Sequence, residues 1–470
     1  NFATGVGHSA GNLAQPNDGI CTTCHNAVAI KGYHMQVNKT PNNPETPAGL
    51  VNFTYEINSA TVNATTNDLT VKFKILGDGT PVTLAVPAAG LTLALPGFTG
   101  SPSFLLAYAQ SGAKQTMTTF TDYNNLGKNA AQPATVSIAN LLDTNRSLTS
   151  GTITGPDAGG FYTANIVSAV AFPVGAKLRA VALQGYFTQV APAAARHTVS
   201  VIKPVSGDAV RRTIVDPAKC GKCHEWFEGH GGNRVYETQV CVTCHVPNLS
   251  TSGRGIADAA LVAYAFTPGE TAILTSWGFD KTLVNAALAF PEFSNNFKDM
   301  IHGIHAGKER TNPVRFVRDR SSVFVVFDTS KITFPNLLKN CESCHVTTPA
   351  GINRQTYKAD LPTGVLPSTA VTTNGAIVTT ADVNTSRSGA NLPNATDMVT
   401  APVAAACVSC HDSAVAVAHM NSNGGNISTS RAAGVGNIQG ISLRSSVAIE
   451  QCALCHGEGK VADVVKAHAK

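Results

Sequence analysis

The chain has 470 residues, with 34 Lys and Arg against 29 Asp and Glu and a formal net charge of +5. Charged residues make up 13% and aromatics 6%, lean for a soluble protein of this size, and no Lys/Arg run supports a nucleic-acid partner. No apolar run approaches the roughly 20 residues of a membrane span.

The chain opens on NFATGVGHSA, without the charged and apolar regions of a signal peptide. A leader is therefore expected to have been removed. If Asn1 is the mature start, no lipid anchor is expected, since all twelve cysteines are claimed by the motifs below. CTTCH follows at 21, then CGKCH at 220, CVTCH at 241, CESCH at 341, CVSCH at 407 and CALCH at 452. C-x-x-C-H reads as a c-type haem attachment site. Two thiols add across the porphyrin vinyl groups, and the adjoining histidine lies under the ring as an axial ligand. All twelve cysteines are used: Cys21, Cys24, Cys220, Cys223, Cys241, Cys244, Cys341, Cys344, Cys407, Cys410, Cys452 and Cys455. The proximal ligands are His25, His224, His245, His345, His411 and His456. Zinc ribbons also use C-x-x-C pairs, and exported cysteines also form disulfides. Neither requires histidine at the next position. With only 14 histidines in the chain, six hits in six are not chance.

Six covalent haem c groups recast the composition. Flat macrocycles replace missing aromatic bulk, and two ionised propionates per ferric haem bring the total charge to roughly −1. C-type haem is attached outside the cytoplasmic membrane. The chain is therefore expected to pass through the periplasm to the outer cell surface or the extracellular space.

Residues 1–47 form an N-terminal single-haem segment. Residues 48–205 contain no haem motif and read as β structure. DLTVKFKILG, ATVSIANL, KLRAVALQGYF and HTVSVIKPV alternate apolar and polar residues, and Gly/Pro turns such as GDGTP and GPDAGG separate them. An antiparallel, immunoglobulin-like β-sandwich is predicted. Residues 206–470 form a pentahaem domain of short helices and long loops. FSNNFKDMIHGIHAG and VADVVKAHAK read as helices, and the polar stretch 363–397 reads as loop. The fold class is thus a multihaem cytochrome c with little regular secondary structure, plus the sandwich.

Eight further histidines remain, against six distal positions. His302 and His305 lie three apart, so one helical turn can reach two neighbouring irons. A zinc half-site there would lack completing ligands. His230 follows His224 in HEWFEGHGGNR, as if by one to two helical turns. His419 and His468 follow the fifth and sixth motifs on short helices. For the first haem, His34 is the leading distal candidate. His8 is the next, either as distal ligand or as a ligand to a neighbouring copy. His197 begins a predicted strand and reads as an ordinary sheet-surface residue.

CGKCHEWFEGHGGNR, CVTCHVPN, MIHGIHAG and CVSCHD, in that order after a β region ending IVDPAKCGKCH, resemble the outer-surface decahaem cytochromes of the OmcA/MtrC family. The chain is similar to one sandwich-plus-pentahaem half, with a further haem segment in front. The resemblance implies closely spaced bis-histidine haems, electron exit to extracellular acceptors such as metal oxides, and His230, His302, His305, His419 and His468 as distal ligands. Two family features are missing, a spare redox cysteine pair and a lipid-anchored start. In haem number and in the expected lack of an anchor the chain is instead similar to secreted, filament-forming hexahaem cytochromes.

The expected function is extracellular electron transfer without a catalytic substrate site. Partners would be other multihaem cytochromes or copies of the chain itself, as a homopolymer. The alternatives are a terminal metal or mineral reductase acting as a monomer, a multihaem small-molecule reductase, and a sandwich-led binding protein.

Overall fold

The computed structural model describes residues 21–86, 94–111, 120–128, 132–143, 149–247, 263–276, 294–320, 323–348, 398–427 and 450–468, with short pieces at 351–352, 369–371, 429–430, 435–438 and 441–444. Helices α1 (Cys21–Cys24) and α2 (Ala27–His34) come first, and Asn26 caps α2 by accepting the Ala29 N–H at 2.9 Å.

The β region runs β1 (Phe53–Val62), β2 (Leu69–Gly77), β3 (Thr80–Pro81), β4 (Phe98–Thr99), β5 (Ser103–Ala109) and β6 (Ala134–Ser137). After helix α3 (Ile138–Leu142) come β7 (Gly151–Thr154), β8 (Tyr162–Ile166), β9 (Lys177–Gln184), β10 (Phe187–Gln189), β11 (Ala194–Arg196) and β12 (Val201–Pro204). One antiparallel sheet has the order β1-β2-β8-β7, with β3 also on β2; a second has the order β12-β9-β5-β6. A small third sheet joins β11, β10 and β4. The two larger sheets share one apolar core, in which Phe73 of β2 meets Phe104 of β5 edge-on at 5.1 Å.

Strand β2 shows the pattern that alternation predicts. Leu69, Val71, Phe73 and Ile75 are buried, and the residues between them are not. Two other runs differ from their prediction. ATVSIANL is strand only as far as Ser137. Beyond it the Ile138 and Ala139 N–H groups are taken by Pro102 O and Ser101 Oγ, and a helical turn buries Ile138, Ala139 and Leu141. HTVSVIKPV is strand only from Val201, because His197 to Ser200 are turned toward the haem-binding segment.

The second sheet is covered on both faces. Leu105, Ala107, Ala109, Ala180 and Ala182 are all buried. Helix α4 (Pro217–Cys220) is followed by the hairpin β13 (Glu228–Gly229) and β14 (Arg234–Val235), then by α5 (Thr238–Cys244). Val240, Val242 and Val246 in and after α5 pack on that outer face. The small alanines allow the close approach, and the Asn125 and Gln132 amides donate to Thr243 O (2.8 Å) and Cys244 O (3.2 Å).

Further along are α6 (Pro268–Ser276), α7 (Phe297–His305), the hairpin β15 (Arg315–Arg320) and β16 (Val323–Asp328), α8 (Pro402–Val408), α9 (Ala414–Ser422), α10 (Cys452–His456) and α11 (Val464–Ala467). The predicted loop at 363–397 lies outside the described residues except for 369–371. Among the described residues no helix is long and apolar enough to cross a membrane.

Candidate haem-binding sites

Three motif helices, α4, α5 and α8, are held at their starts by a carboxylate. Asp216 accepts the Ala218 N–H at 2.9 Å, with Pro217 as the first residue of α4, and Glu237 accepts the Gln239 N–H at 2.8 Å on α5. The buried Glu450 accepts the Val403 and Ala404 N–H groups at 3.2 and 2.7 Å, fixing α8 and with it Cys407. Such caps satisfy N–H groups that have no partner inside a helix. Asp412, next to His411, accepts the Thr311 and Asn312 N–H groups at 2.8 and 2.6 Å and so ties the fifth motif to the segment after α7. Sequence reasoning missed Glu450 and Asp412. The acid beside a motif, in CVSCHD and IEQCALCH, was the available signal.

Five motif histidines each face a second histidine ring. His224 lies 6.1 Å from His305, His245 6.0 Å from His230, and His345 6.1 Å from His302, centre to centre. His411 lies 6.0 Å from His468, and His456 6.2 Å from His419. Two metal–imidazole bonds of about 2.0 Å each, with the half-rings behind them, fill about 6 Å. The separations therefore suit one iron between each pair.

The partners cross along the chain. His230, just after the second motif, faces the third. His419, after the fifth, faces the sixth, while His468, after the sixth, faces the fifth. Within α7, His305 faces the second motif and His302 the fourth. His230 is on no helix. It occupies the turn of the β13–β14 hairpin with φ +58°, because His-Gly-Gly-Asn in its sequence is turn chemistry.

The first motif differs. Among the described residues, the ring against His25 is Tyr33, at 6.1 Å edge-on, and not His34. His34 is exposed at the end of α2, its Nδ1 donating to Ile30 O at 2.8 Å. His8 lies outside the described residues. Among the described residues His197 faces no motif histidine. Its Nδ1 pairs with Glu228 at 2.7 Å.

Ring orientation is set by backbone carbonyls. Nδ1 of His245, His305, His456 and His468 donates to Asn295 O (2.8 Å), Ile301 O (2.9 Å), Ala462 O (3.0 Å) and Val464 O (2.7 Å). That bond fixes the tautomer, with Nε2 as the nitrogen able to ligate a metal. Burial, aided by His345, Lys298 and His305, pushes the His302 pKa down to about 4, so the ring is neutral as a ligand must be. Burial also pushes the Cys220 and Cys452 thiols up to about 11 and Cys241 and Cys407 to about 12. Among the described residues, no three His, Cys, Asp or Glu side chains converge on a metal-sized site. The residues fit haem and do not fit zinc.

The sites are also tied to one another. Asp216 N donates to Cys344 O at 2.9 Å and Val215 bridges His345, so the second and fourth motifs lie side by side. Phe297 N at the start of α7 donates to His245 O at 3.2 Å, and Gln451 N beside the sixth motif donates to Asn423 O at 2.9 Å, just past α9.

No curated protein matches the chain. Residues 212–469 match the family model described as outer membrane cytochrome MtrC/MtrF-like, domains II/IV. The match takes in five of the six motifs and leaves the sandwich and the first motif outside it. It spans more than half of the chain, so the protein belongs to the outer membrane cytochrome MtrC/MtrF-like family, with covalent c-type haem as cofactor and the outer cell surface as its place.

Proposed function

We propose that the chain is an extracellular electron conduit holding six haem c groups, each capped on both faces by histidine, that passes charge to outside acceptors such as metal oxides. The observation that carries this reading is the set of five histidine ring pairs 6.0 to 6.2 Å apart. Bound haem supplies a one-electron iron centre whose potential responds to its ligands and surroundings. The chain does the rest. Carbonyls aim the rings, caps fix the motif helices, and α7 seats two sites within one turn. Backbone ties between the second and fourth motifs keep neighbouring sites close enough for charge to cross.

An electron-transfer protein rather than an enzyme is the better reading. Every motif ends in histidine, and each described pentahaem motif has a facing ring, so a small-molecule reductase would have no open position. A monomeric terminal metal reductase uses the same relay and differs only in assembly. The strand orders β1-β2-β8-β7 and β12-β9-β5-β6 support an immunoglobulin-like sandwich. For assembly we favour a filament. Val28 and Tyr33 beside the first motif, and Val461 after the sixth, are exposed apolar groups. A head-to-tail contact between those ends builds a polymer where its rotation does not close a ring.

The function is tested by reducing the holoprotein fully and mixing it with ferric oxide particles and, separately, with a soluble ferric chelate. All haem absorbance should reoxidise as one connected pool; a fraction equal to one haem or more that stays reduced refutes the relay. Electron microscopy of concentrated protein tests the filament, and monodisperse particles under all conditions would count against it.

A further inference from the structure

We infer that His197, on the sandwich, is a positioning residue for the haem at the third motif, pinning the hairpin that carries His230. This rests on the reading that His230 and His245 cap one iron. The hairpin turn is conformationally costly. His230, Gly231 and Gly232 have φ values of +58°, +65° and +84°, and a left-handed histidine persists only where its surroundings hold it.

The sandwich supplies that hold. His197 Nδ1 pairs with Glu228 Oε2 at 2.7 Å, and the same oxygen accepts Trp226 Nε1 at 2.7 Å, so the carboxylate ties the hairpin's first strand to the ring. Tyr186 supports the ring edge-on at 4.6 Å. On the other side the ring lies over Gly232, where a Cβ would stand 2.2 Å from His197 Nε2. The turn backbone is clamped as well. Gly185 N donates to Asn233 O at 2.9 Å, Ser200 N donates to Val235 O at 3.1 Å, and Asn233 Nδ2 donates to His230 O at 3.0 Å. With Nδ1 engaged and Nε2 over a glycine, His197 is no ligand. It is the wedge that keeps the His230 ring 6.0 Å from His245. The sandwich thus takes part in the ligand field of a haem whose cysteines lie outside it.

The test is carbon monoxide binding to the ferrous holoprotein, because the gas enters only where an axial position opens. His230→Ala should open one site per chain. His197→Ala and Gly232→Ala should each raise gas binding at that same haem by at least about tenfold, the loss typical when a group behind a ligand is removed. His197→Asn, whose Nδ2 takes the place of Nδ1 and can still donate to Glu228, should recover most of the wild-type behaviour. A general loosening of the sandwich would lower the unfolding temperature without opening one haem selectively. If His230→Ala opens one site while His197→Ala and Gly232→Ala stay closed, the positioning role is wrong. If His230→Ala opens none, the pairing of His230 with His245 fails, and the inference falls with it.

Discussion

Helix α7 holds two histidines that face different motifs, and their separate removal gives a countable result. His302→Ala strips one ring from the pair with His345, and His305→Ala strips one from the pair with His224. The two Cβ atoms lie about 5–6 Å apart, as i and i+3 positions do, yet their ring partners sit on different motifs. Each single substitution should therefore open one coordination position, and the double substitution two. In the ferrous holoprotein, carbon monoxide should bind one equivalent per chain in each single variant and two in the double. The ferric spectra should gain a high-spin signal of one-sixth and then one-third of the haem, given six motifs. If both rings served one iron, the double variant would bind no more gas than either single one. That equality would refute the assignment.

Asp122 and Arg211 form a pair in which each side chain is only 10% exposed. Asp122→Asn should cost about 3–5 kcal/mol of stability in denaturant titration, as breaking a buried pair does, whereas Lys31→Gln, losing an exposed pair with Glu45, should cost about 0–1 kcal/mol. Burial alone would raise the Asp122 pKa, but Arg211, Arg212 and Lys298 outweigh it and hold the carboxyl below the usual range. Its folded pKa is thus the lower one, so its stabilisation is complete above about pH 4 and disappears as pH falls through the folded value; acid titration of wild type against Asp122→Asn should show the difference vanishing there. Gly303 lies between His302 and His305 on α7, and a Cβ would stand 2.8 Å from Val314 Cγ2 and 3.0 Å from Arg310 Nη1. Gly303→Ala should cost about 1–3 kcal/mol by overpacking, and Val314→Ala in the same chain should restore part of it. The intact mass should exceed the polypeptide by six haem groups, and a smaller excess would remove a motif from the count.

What sequence reading could reach was decided by locality. C-x-x-C-H is read within five residues, and the alternation of β2 within nine. The histidines that the structure brings into pairs were all singled out, but their pairing was not legible, because it crosses between motifs up to 81 residues apart in the case of His224 and His305. His230 was read as helical, whereas Gly231 and Gly232 make a turn of that stretch. The burial of β5 and β9 on both faces was likewise hidden. Periodicity reports one covered face, and the second cover is α5, from beyond the sandwich. The runs of alanine in those strands carried the hint, since small residues mark a face against which another element lies.

Low-temperature electron paramagnetic resonance of the fully ferric holoprotein tests the central claim most directly. Facing rings near perpendicular give strongly anisotropic, large-g low-spin signals, and rings near parallel give rhombic ones. The pairs His224–His305 and His419–His456, at 73° and 82°, belong to the first class. His302–His345 and His230–His245, at 23° and 33°, belong to the second, with His411–His468 between them at 58°. Both low-spin classes in comparable amounts, with no high-spin iron from these five sites, is the predicted result. A high-spin signal amounting to two or more haems, or a single low-spin class, would contradict it.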